Sequence, residues 1–272
     1  MSKKQYDPEI IATLTKLRLM DDTLMAYAFE DNTEAGTLLL RILIGRDDLV
    51  AEEVRSQREY TNLLGHTVRL DVVARDGDGK LYNIEVQRSD EGANPRRARY
   101  HSSMLDSRLL AKGEDYAALK DSYVIFITEN DVFRDGLPLY HFERIRLEGG
   151  KPLNDGSHIL YVNGAYENND DPVGKLMHDF RCRNADEMVY PVLAERVRYL
   201  KEDEGGQSFM CQAMEELYRK AELKAALKAE RKALEEAAMT LLGFGLLSYE
   251  KIAEATKLTV EEVKELDAQR TA

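Results

Sequence analysis

The sequence predicts an α/β fold with a mixed β-sheet, followed by a helical C-terminal extension. Residues 65–87 alternate apolar and polar side chains on both sides of the sequence D-G-D-G, a pattern typical of two strands joined by a turn. Residues 123–128, Y-V-I-F-I-T, form a nearly continuous apolar run, which is typical of a buried parallel strand. Residues 208–242 are rich in Ala, Glu, Lys, Leu and Met, a composition that favours helix.

Composition and charge narrow the class of protein. The chain has 272 residues, of which 43% are apolar, enough for one large domain or for a domain with an appendage. The formal net charge of −12 excludes a protein whose whole surface is basic. Any contact with nucleic acid must therefore be made by a local group of basic residues.

Neither the cysteines nor the hydropathy pattern indicates an extracellular or membrane protein. Cys182 and Cys211 lack metal-ligand spacing and do not suggest a disulfide framework. We find no apolar run of the length that a signal peptide or a transmembrane helix requires. We therefore expect a cytoplasmic protein in a reducing compartment, with no membrane partner.

The segments before the hairpin predict three helices and a strand. Residues 8–19 predict a short helix, and either Asp21 or Asp22 is placed to cap the next one. A third helix is expected to end at Gly45, and residues 49–60 predict a strand of the same sheet. The second helix carries an apolar stripe of Leu24, Met25, Ala28 and Phe29, and the third spans 34–44.

The register of the hairpin decides whether two carboxylates meet. Glu85 and Gln87 lie two residues apart in the second strand, so their side chains share one face. A turn with an even number of residues would place Asp71 opposite Ile84, on the other face, as ordinary surface. A three-residue turn formed by residues 77–79 would instead place Asp71 opposite Glu85, and a bulge would serve as well.

In the three-residue register, the hairpin has the chemistry of a magnesium site. Two carboxylates that face each other across a strand pair, about 5 Å apart, repel unless a cation lies between them. Mg²⁺ is bound by one or two carboxylates and keeps several water ligands. Asp71 and Glu85 are therefore candidate metal ligands.

A helix with a basic start is expected after the hairpin. Asn94 is a typical N-cap residue, Pro95 suits the first helical position, and Gly113 is the expected stop. The crossover from the hairpin to residues 123–128 predicts a right-handed βαβ unit. Side chains at helical spacing should pack on the sheet, among them His101 as a core residue. They are Ala98, His101, Met104, Leu105 and Leu109.

Three arginines open this helix, directly after the strand that carries Glu85. Guanidinium groups beside a pair of carboxylates would attract phosphate and leave the metal to polarise it. The alternative is an ordinary solvated face. The three residues are Arg96, Arg97 and Arg99.

Ordered motifs across this region resemble the PD-(D/E)XK nuclease family transposases, also called recombination-promoting nucleases. The segments R-L-D-V-V-A-R-D, Y-N-I-E-V-Q, R-R-A-R-Y-H-S-S-M-L-D and Y-V-I-F-I-T carry the resemblance, which covers about Met20 to Gly164. Asp71 and the E-V-Q at 85–87 resemble the D…(D/E)-x-K core of these nucleases, with Gln87 where Lys is usual. The resemblance implies a restriction-endonuclease-like fold with an α-β-β-β-α-β core.

The resemblance also implies a metal-dependent DNA endonuclease. Asp71, Glu85 and the main-chain carbonyl of Val86 would bind one or two Mg²⁺ or Mn²⁺ ions, which activate water and stabilise charge on the scissile phosphate. Asp22 matches a first-helix signature of the family in part, and is either a further metal ligand or a plain N-cap. Gln87 would hydrogen-bond the water but cannot carry charge or act as a base. DNA would lie against the three arginines.

The C-terminal segment predicts a second, helical domain. The sequence E-G-G-Q at 204–207 is the best candidate for a linker, so we expect a nuclease-like domain at 1–203 and a helical extension at 208–272. Residues 248–266 have helix-turn-helix spacing, with Thr259 and Glu262 forming a capping box. The second helix of this helix-turn-helix segment, E-E-V-K-E-L-D, is too acidic for a recognition helix in a DNA groove. The extension is therefore expected to pack or to form a homodimer.

Two functions are compatible with the sequence. The first is metal-dependent hydrolysis of DNA at Asp71 and Glu85. The second is a catalytically inactive relative that binds DNA or a protein through its C-terminal helices, which the net acidity, the missing Lys and the long helical arm favour. Metal binding distinguishes the two, because an inactive site need not retain its ions.

Overall fold

A computed structural model describes residues 6–61, 67–110 and 112–271. Gly65 and His66 of the predicted hairpin segment, and Ala111 of the predicted helix, lie outside the described residues. The helices are α1 (Pro8–Lys16), α2 (Asp22–Phe29), α3 (Thr33–Ile44), α4 (Pro95–Leu109), α5 (Pro172–Arg181), α6 (Pro191–Glu202), α7 (Glu204–Phe244), α8 (Tyr249–Thr256) and α9 (Val260–Thr271). The strands are β1 (Ala51–Thr61), β2 (Thr67–Asp76), β3 (Leu81–Gln87), β4 (Ser122–Thr128), β5 (Leu139–Phe142) and β6 (Ser157–Asn163).

The six strands form one mixed sheet in the order β1-β2-β3-β4-β6-β5. Strands β1, β2 and β3 pair antiparallel, β3, β4 and β6 run parallel, and β5 pairs antiparallel with β6 at the edge. Every residue of β4 is buried, as its apolar run predicts. The mixed α/β fold and the parallel β3-α4-β4 unit predicted from the sequence are confirmed.

Helix α4 covers one face of the sheet and closes a core beneath it. Asn94 caps the helix by accepting a hydrogen bond from the Arg96 N–H, and the predicted packing residues Ala98, His101, Met104 and Leu105 are buried. Helices α2 and α3 contact β1. The core on the α4 side contains Leu70, Val73, Ala93, Ala98, Leu105, Val124, Phe126, Tyr140 and Tyr161.

The hairpin between β2 and β3 has the three-residue turn. The Asp76 N–H donates to the Lys80 carbonyl, which leaves residues 77–79 as the turn, and Gly79 takes a left-handed φ of 82°. The Asp76 carboxylate accepts hydrogen bonds from the Lys80 N–H at 2.9 Å and the Tyr82 hydroxyl at 2.8 Å. This buried carboxylate holds the turn together and so maintains its length.

Two local predictions were wrong. Helix α4 ends at Leu109 and not at Gly113, because Leu110 is already extended. The predicted linker at 204–207 is instead the first turn of α7. Gly206 is needed there for close packing, since a Cβ at this position would lie 2.0 Å from the Tyr199 carbonyl oxygen.

The chain divides into two compact units, Met1–Met210 and Cys211–Ala272. In the second unit, α8 and α9 are joined by a short turn with Lys257 in the left-handed conformation. The predicted capping box is present, because Thr259 Oγ1 accepts from the Glu262 N–H and Glu262 Oε2 accepts from the Thr259 N–H. The core of this unit contains Ala238, Leu242, Ile252, Ala253, Leu258 and Val263. None of the described helices is both long and apolar enough to cross a membrane.

A buried lysine ties α6 to two turns of the first unit. Lys201 is 5% exposed, and its ammonium group donates to the carbonyl oxygens of Leu17, Arg183 and Thr15, the last two at 2.6 and 3.4 Å. Burial lowers its pKa to about 8. The three carbonyl groups satisfy the charge in place of water.

Replacing Lys201 should destabilise the fold. Lys201→Met leaves three part-buried carbonyl groups without this donor, and we expect a loss of roughly 3 kcal/mol in the free energy of unfolding. Chemical denaturation measures this loss. Lys112→Met, at an exposed position, is the matched control. Equal stability of the two variants would contradict the role assigned to Lys201.

Candidate metal centre

The ladder between β2 and β3 opens where the two candidate carboxylates meet. Backbone pairing ends at Val72 and Ile84, and continuing this register places Asp71 opposite Glu85. Hydrogen bonds to side chains replace the backbone hydrogen bonds of the ladder at this position. The Asp71 N–H donates to Glu85 Oε1 at 3.3 Å, and the Val86 N–H donates to Asp71 Oδ2 at 3.2 Å. The three-residue register predicted as one of the alternatives is therefore confirmed.

Strand β1 is distorted at the same level of the sheet. Gln57 has a φ of 51°, a left-handed conformation that is unusual for a residue with a side chain. Its neighbours Ser56 and Arg58 pair with Val72 and Leu70, on either side of Asp71. This distortion accompanies the turn of the Asp71 N–H toward Glu85. No signal in the sequence indicates it.

The backbone of Val86 faces the opening between β2 and β3. Odd-numbered residues of β3 bond to the β4 side, since the Leu81 N–H donates to Asp121 O and Gln87 O accepts from the Glu129 N–H. The backbone groups of even-numbered residues point the other way. The Val86 carbonyl is therefore directed to the side on which the Val86 N–H bonds Asp71.

Burial shapes the electrostatics of the carboxylate pair. Asp71 is 9% exposed and Glu85 is fully buried. Burial raises the pKa of both groups. The negative charge of Asp71 raises the pKa of Glu85 further, and the negative charge of Asp22 raises that of Asp71 further. Arg97 acts in the opposite direction on both. The positive charge of Arg97 therefore does not fully balance the negative charge of the two carboxylates.

Arg97 forms an ion pair with Glu85. Its Nη2 lies 2.8 Å from Glu85 Oε2, and its Nη1 donates to Gln87 Oε1 and to the Gly92 carbonyl oxygen, each at 3.1 Å. Gly92 leaves room for this arrangement, because a Cβ there would lie 2.0 Å from Gln87 Oε1. Arg97 was predicted to contact DNA. The sequence placed its guanidinium beside the carboxylates, but its direct contacts with Glu85 and Gln87 were not predicted.

His101 supports the site from the core. Its Nδ1 lies 3.5 Å from Glu85 Oε1 and 3.2 Å from Asn83 Nδ2. Burial, together with the charge of Arg97, lowers the pKa of His101 to about 4, so the ring is neutral near pH 7. The prediction that His101 is a core residue agrees with its burial.

Asp71 lines a cleft of about 420 Å³, whereas the fully buried Glu85 is not among the described residues that line it. Asp22, the first residue of α2, lines this cleft, whereas the N-cap position of α2 belongs to Asp21. Arg96 and Arg99 are exposed on α4 and are not among the described residues that line the cleft. The lining residues are Asp22, Arg69, Asp71, Val86, Gln87, Arg88, Ser89 and Arg97.

The donor set fits a hard divalent cation. Asp71 and Glu85 offer carboxylate oxygens, the Val86 carbonyl is directed to the same side, and Asp22 adds a third carboxylate at the cleft. Oxygen ligands of this kind suit Mg²⁺ or Mn²⁺. The excess negative charge of the buried pair favours a cation as well.

The architecture is consistent with the restriction-endonuclease-like fold. It has a mixed sheet covered by a helix, with an Asp and a Glu side by side at a hairpin and the sequence E-x-Q at the end of the strand. Residues 38–165 match the family model described as PD-(D/E)XK nuclease family transposase, which confirms the resemblance over just under half of the chain. Asp71, Glu85 and the three arginines lie within the matched segment, and Asp22 lies before it. Comparisons with curated proteins and with solved structures gave no significant match.

Without metal, the buried carboxylates should cost stability at neutral pH. A folded-state pKa above the ordinary carboxyl value of 3.8 means that folding favours the protonated form, so stability falls as pH rises above that value. We expect Asp71→Asn to raise the free energy of unfolding by about 1 kcal/mol at pH 7, or roughly 2–4 °C, and to have little effect near pH 4.

Thermal denaturation in EDTA at the two pH values measures this difference. Glu59→Gln, which removes an exposed carboxylate on β1, is the control. A lower melting temperature for Asp71→Asn at pH 7 would show that the carboxylate stabilises the metal-free fold, contrary to our expectation.

Proposed function

We propose that this protein is a divalent-metal-dependent DNA endonuclease that hydrolyses phosphodiester bonds. The observation that carries the proposal is the meeting of two buried carboxylates, Asp71 and Glu85, where the β2–β3 ladder opens. The family match at residues 38–165 supports it, because the match includes both residues and names a nuclease family.

Asp71, Glu85 and the Val86 carbonyl would hold Mg²⁺ or Mn²⁺, with Asp22 as a further ligand. When bound, the ion lowers the pKa of water and offsets the charge of the scissile phosphate. The protein orients these ligands through hydrogen bonds, since the Val86 N–H fixes the Asp71 carboxylate and Arg97 fixes that of Glu85. The buried setting strengthens each of these interactions.

Gln87 and Arg97 would together replace the Lys that is usual at position 87 of the motif, which supplies both a hydrogen bond and a positive charge. Gln87 can hydrogen-bond a water molecule, and Arg97, whose Nη1 lies 3.1 Å from Gln87 Oε1, supplies the positive charge that Gln87 lacks. A guanidinium group stays protonated, so Arg97 would stabilise phosphate charge and would not act as a base. Arg96 and Arg99, exposed on the same helix, would contact the DNA backbone.

The alternative is a catalytically inactive relative that binds DNA or a protein through its C-terminal helices. The ion pair between Arg97 and Glu85, at 2.8 Å, favours it, because a guanidinium already balances part of the carboxylate charge. Absence of any effect of Mg²⁺ or Mn²⁺ on the thermal stability of the folded protein would support this alternative.

The wider setting is also part of the proposal. A role in DNA recombination is proposed because the matched family model is described as a transposase family. Cytoplasmic location is proposed because Cys182 and Cys211 are both free thiols. Homodimerisation through the C-terminal helices is proposed because α7 exposes apolar side chains, and light scattering of the full chain tests it. These side chains include Leu217, Tyr218, Leu223 and Leu227.

Plasmid nicking by the purified protein tests the nuclease directly. We expect cleavage with Mg²⁺ or Mn²⁺ and none with EDTA, and a loss of at least about 100-fold in Glu85→Gln and in Asp71→Asn, because both metal ligands are needed. Glu59→Gln should retain cleavage, and circular dichroism checks that the variants are folded. Cleavage that survives both substitutions would rule out this site.

Binding of DNA in Ca²⁺, measured by fluorescence anisotropy over a range of salt, tests the arginines. Arg96→Ala and Arg99→Ala should each weaken binding and reduce the salt slope by about 1. Arg97→Ala should weaken binding in a salt-dependent way and should also lower the cleavage rate at saturating DNA. Arg146→Ala, in the exposed connection between β5 and β6, is the control. An unchanged salt slope in Arg96→Ala and Arg99→Ala would exclude them as phosphate contacts.

A further inference from the structure

Two imidazoles and a carboxylate meet at the edge of the sheet, apart from the candidate metal centre. The pairing of Phe142 with Ile159 places Glu143, the residue after β5, opposite His158, and His141 shares the face of Glu143. Glu143 Oε1 lies 3.0 Å from His158 Nδ1 and 3.5 Å from His141 Nε2. The two nitrogen atoms are 3.2 Å apart.

These distances match the ligand spacing of a tetrahedral zinc site. With zinc–ligand bonds of about 2.0–2.2 Å, neighbouring ligand atoms of a tetrahedron lie roughly 3.3–3.6 Å apart. The three atoms therefore already outline one face of such a tetrahedron. The side chains of His141 and Glu143 are 45% and 37% exposed, so the fourth position is open to water.

Aromatic stacking orients the ring of His158. The ring stacks on Tyr123, with 4.4 Å between centroids and 16° between planes, and Tyr123 stacks on Tyr82 at 4.8 Å and 18°. The three residues are neighbours across β3, β4 and β6. The stack limits the rotation of the imidazole and directs Nδ1 to Glu143, so less conformational entropy is lost when a metal binds.

A second group of metal-ligating side chains among the described residues is less suitable. His178, Asp179 and Cys182 also lie close together. The Asp179 carboxylate, however, accepts hydrogen bonds from the backbone N–H groups of Val189 and Tyr190 at 2.7 and 2.8 Å. Its oxygens are therefore already used to hold the segment before α6.

We propose that His141, Glu143 and His158 bind a zinc-type divalent cation that joins the edge strand β5 to β6. Imidazole nitrogens select metals of this type, whereas the oxygen ligands at Asp71 and Glu85 suit Mg²⁺ or Mn²⁺. Glu85 lies in the same cross-strand row as Tyr161, three residues beyond His158 on β6, so the two sites are on opposite faces of the sheet. The zinc site does not depend on nuclease activity.

Zinc titration of the full-length protein tests the site. The Asp71→Asn, Glu85→Gln double variant is used as the background, so that the oxygen-rich centre contributes no binding. Isothermal titration with Zn²⁺ should give one ion per chain. His141→Ala and Glu143→Gln should each weaken binding by more than the roughly 10–100-fold that loss of an outer-shell partner costs, and His178→Ala should have no effect.

Spectra and stability give two independent readouts. Co²⁺ bound at the site should show the intense visible absorption of a four-coordinate ion, and the variants at His141 and Glu143 should lose it. Zn²⁺ should raise the melting temperature of the background protein but not that of His141→Ala. Absence of stoichiometric Zn²⁺ binding, or binding that neither His141→Ala nor Glu143→Gln weakens, would overturn the proposal. Loss of binding in His178→Ala alone would assign the metal to the other cluster and overturn it too.

Discussion

The register of β2 against β3 is the constraint on which the candidate metal centre depends. Side chains alternate along a strand, so a shift of one residue would turn Asp71 to the opposite face from Glu85. The Asp76 carboxylate and the left-handed Gly79 hold the turn at three residues. A buried network at one end of the hairpin therefore determines which side chains meet at the other end.

Local signals in the sequence predicted most of the fold. Alternation and turn residues indicated the hairpin, and caps such as Asn94 and the Thr259–Glu262 box indicated helix starts, because each depends on neighbours within four residues. The linker prediction at 204–207 failed for a long-range reason. Glycine pairs favour loops, but Gly206 serves the close approach of α7 to Tyr199.

The candidate site was predicted in part for the same reason. Asp71, Glu85 and Gln87 belong to one hairpin, so spacing alone could bring them together once the register was chosen. The contacts of Arg97 with Glu85 and Gln87 depend on how α4 docks on the sheet, and the conformation of Gln57 depends on the opening of a neighbouring ladder. Neither leaves a periodic pattern in the sequence.

The turn at residues 77–79 also constrains how this chain can change in evolution. The residues of the turn can be substituted as long as position 79 can adopt a left-handed conformation and the hydrogen bonds to Asp76 are kept. Its length is not, because an insertion or deletion of one residue would separate both acidic side chains in a single step. Such a shift would also move the apolar side chains of one strand to the opposite face of the sheet, so the carboxylate pair and the packing of the hairpin would be lost together.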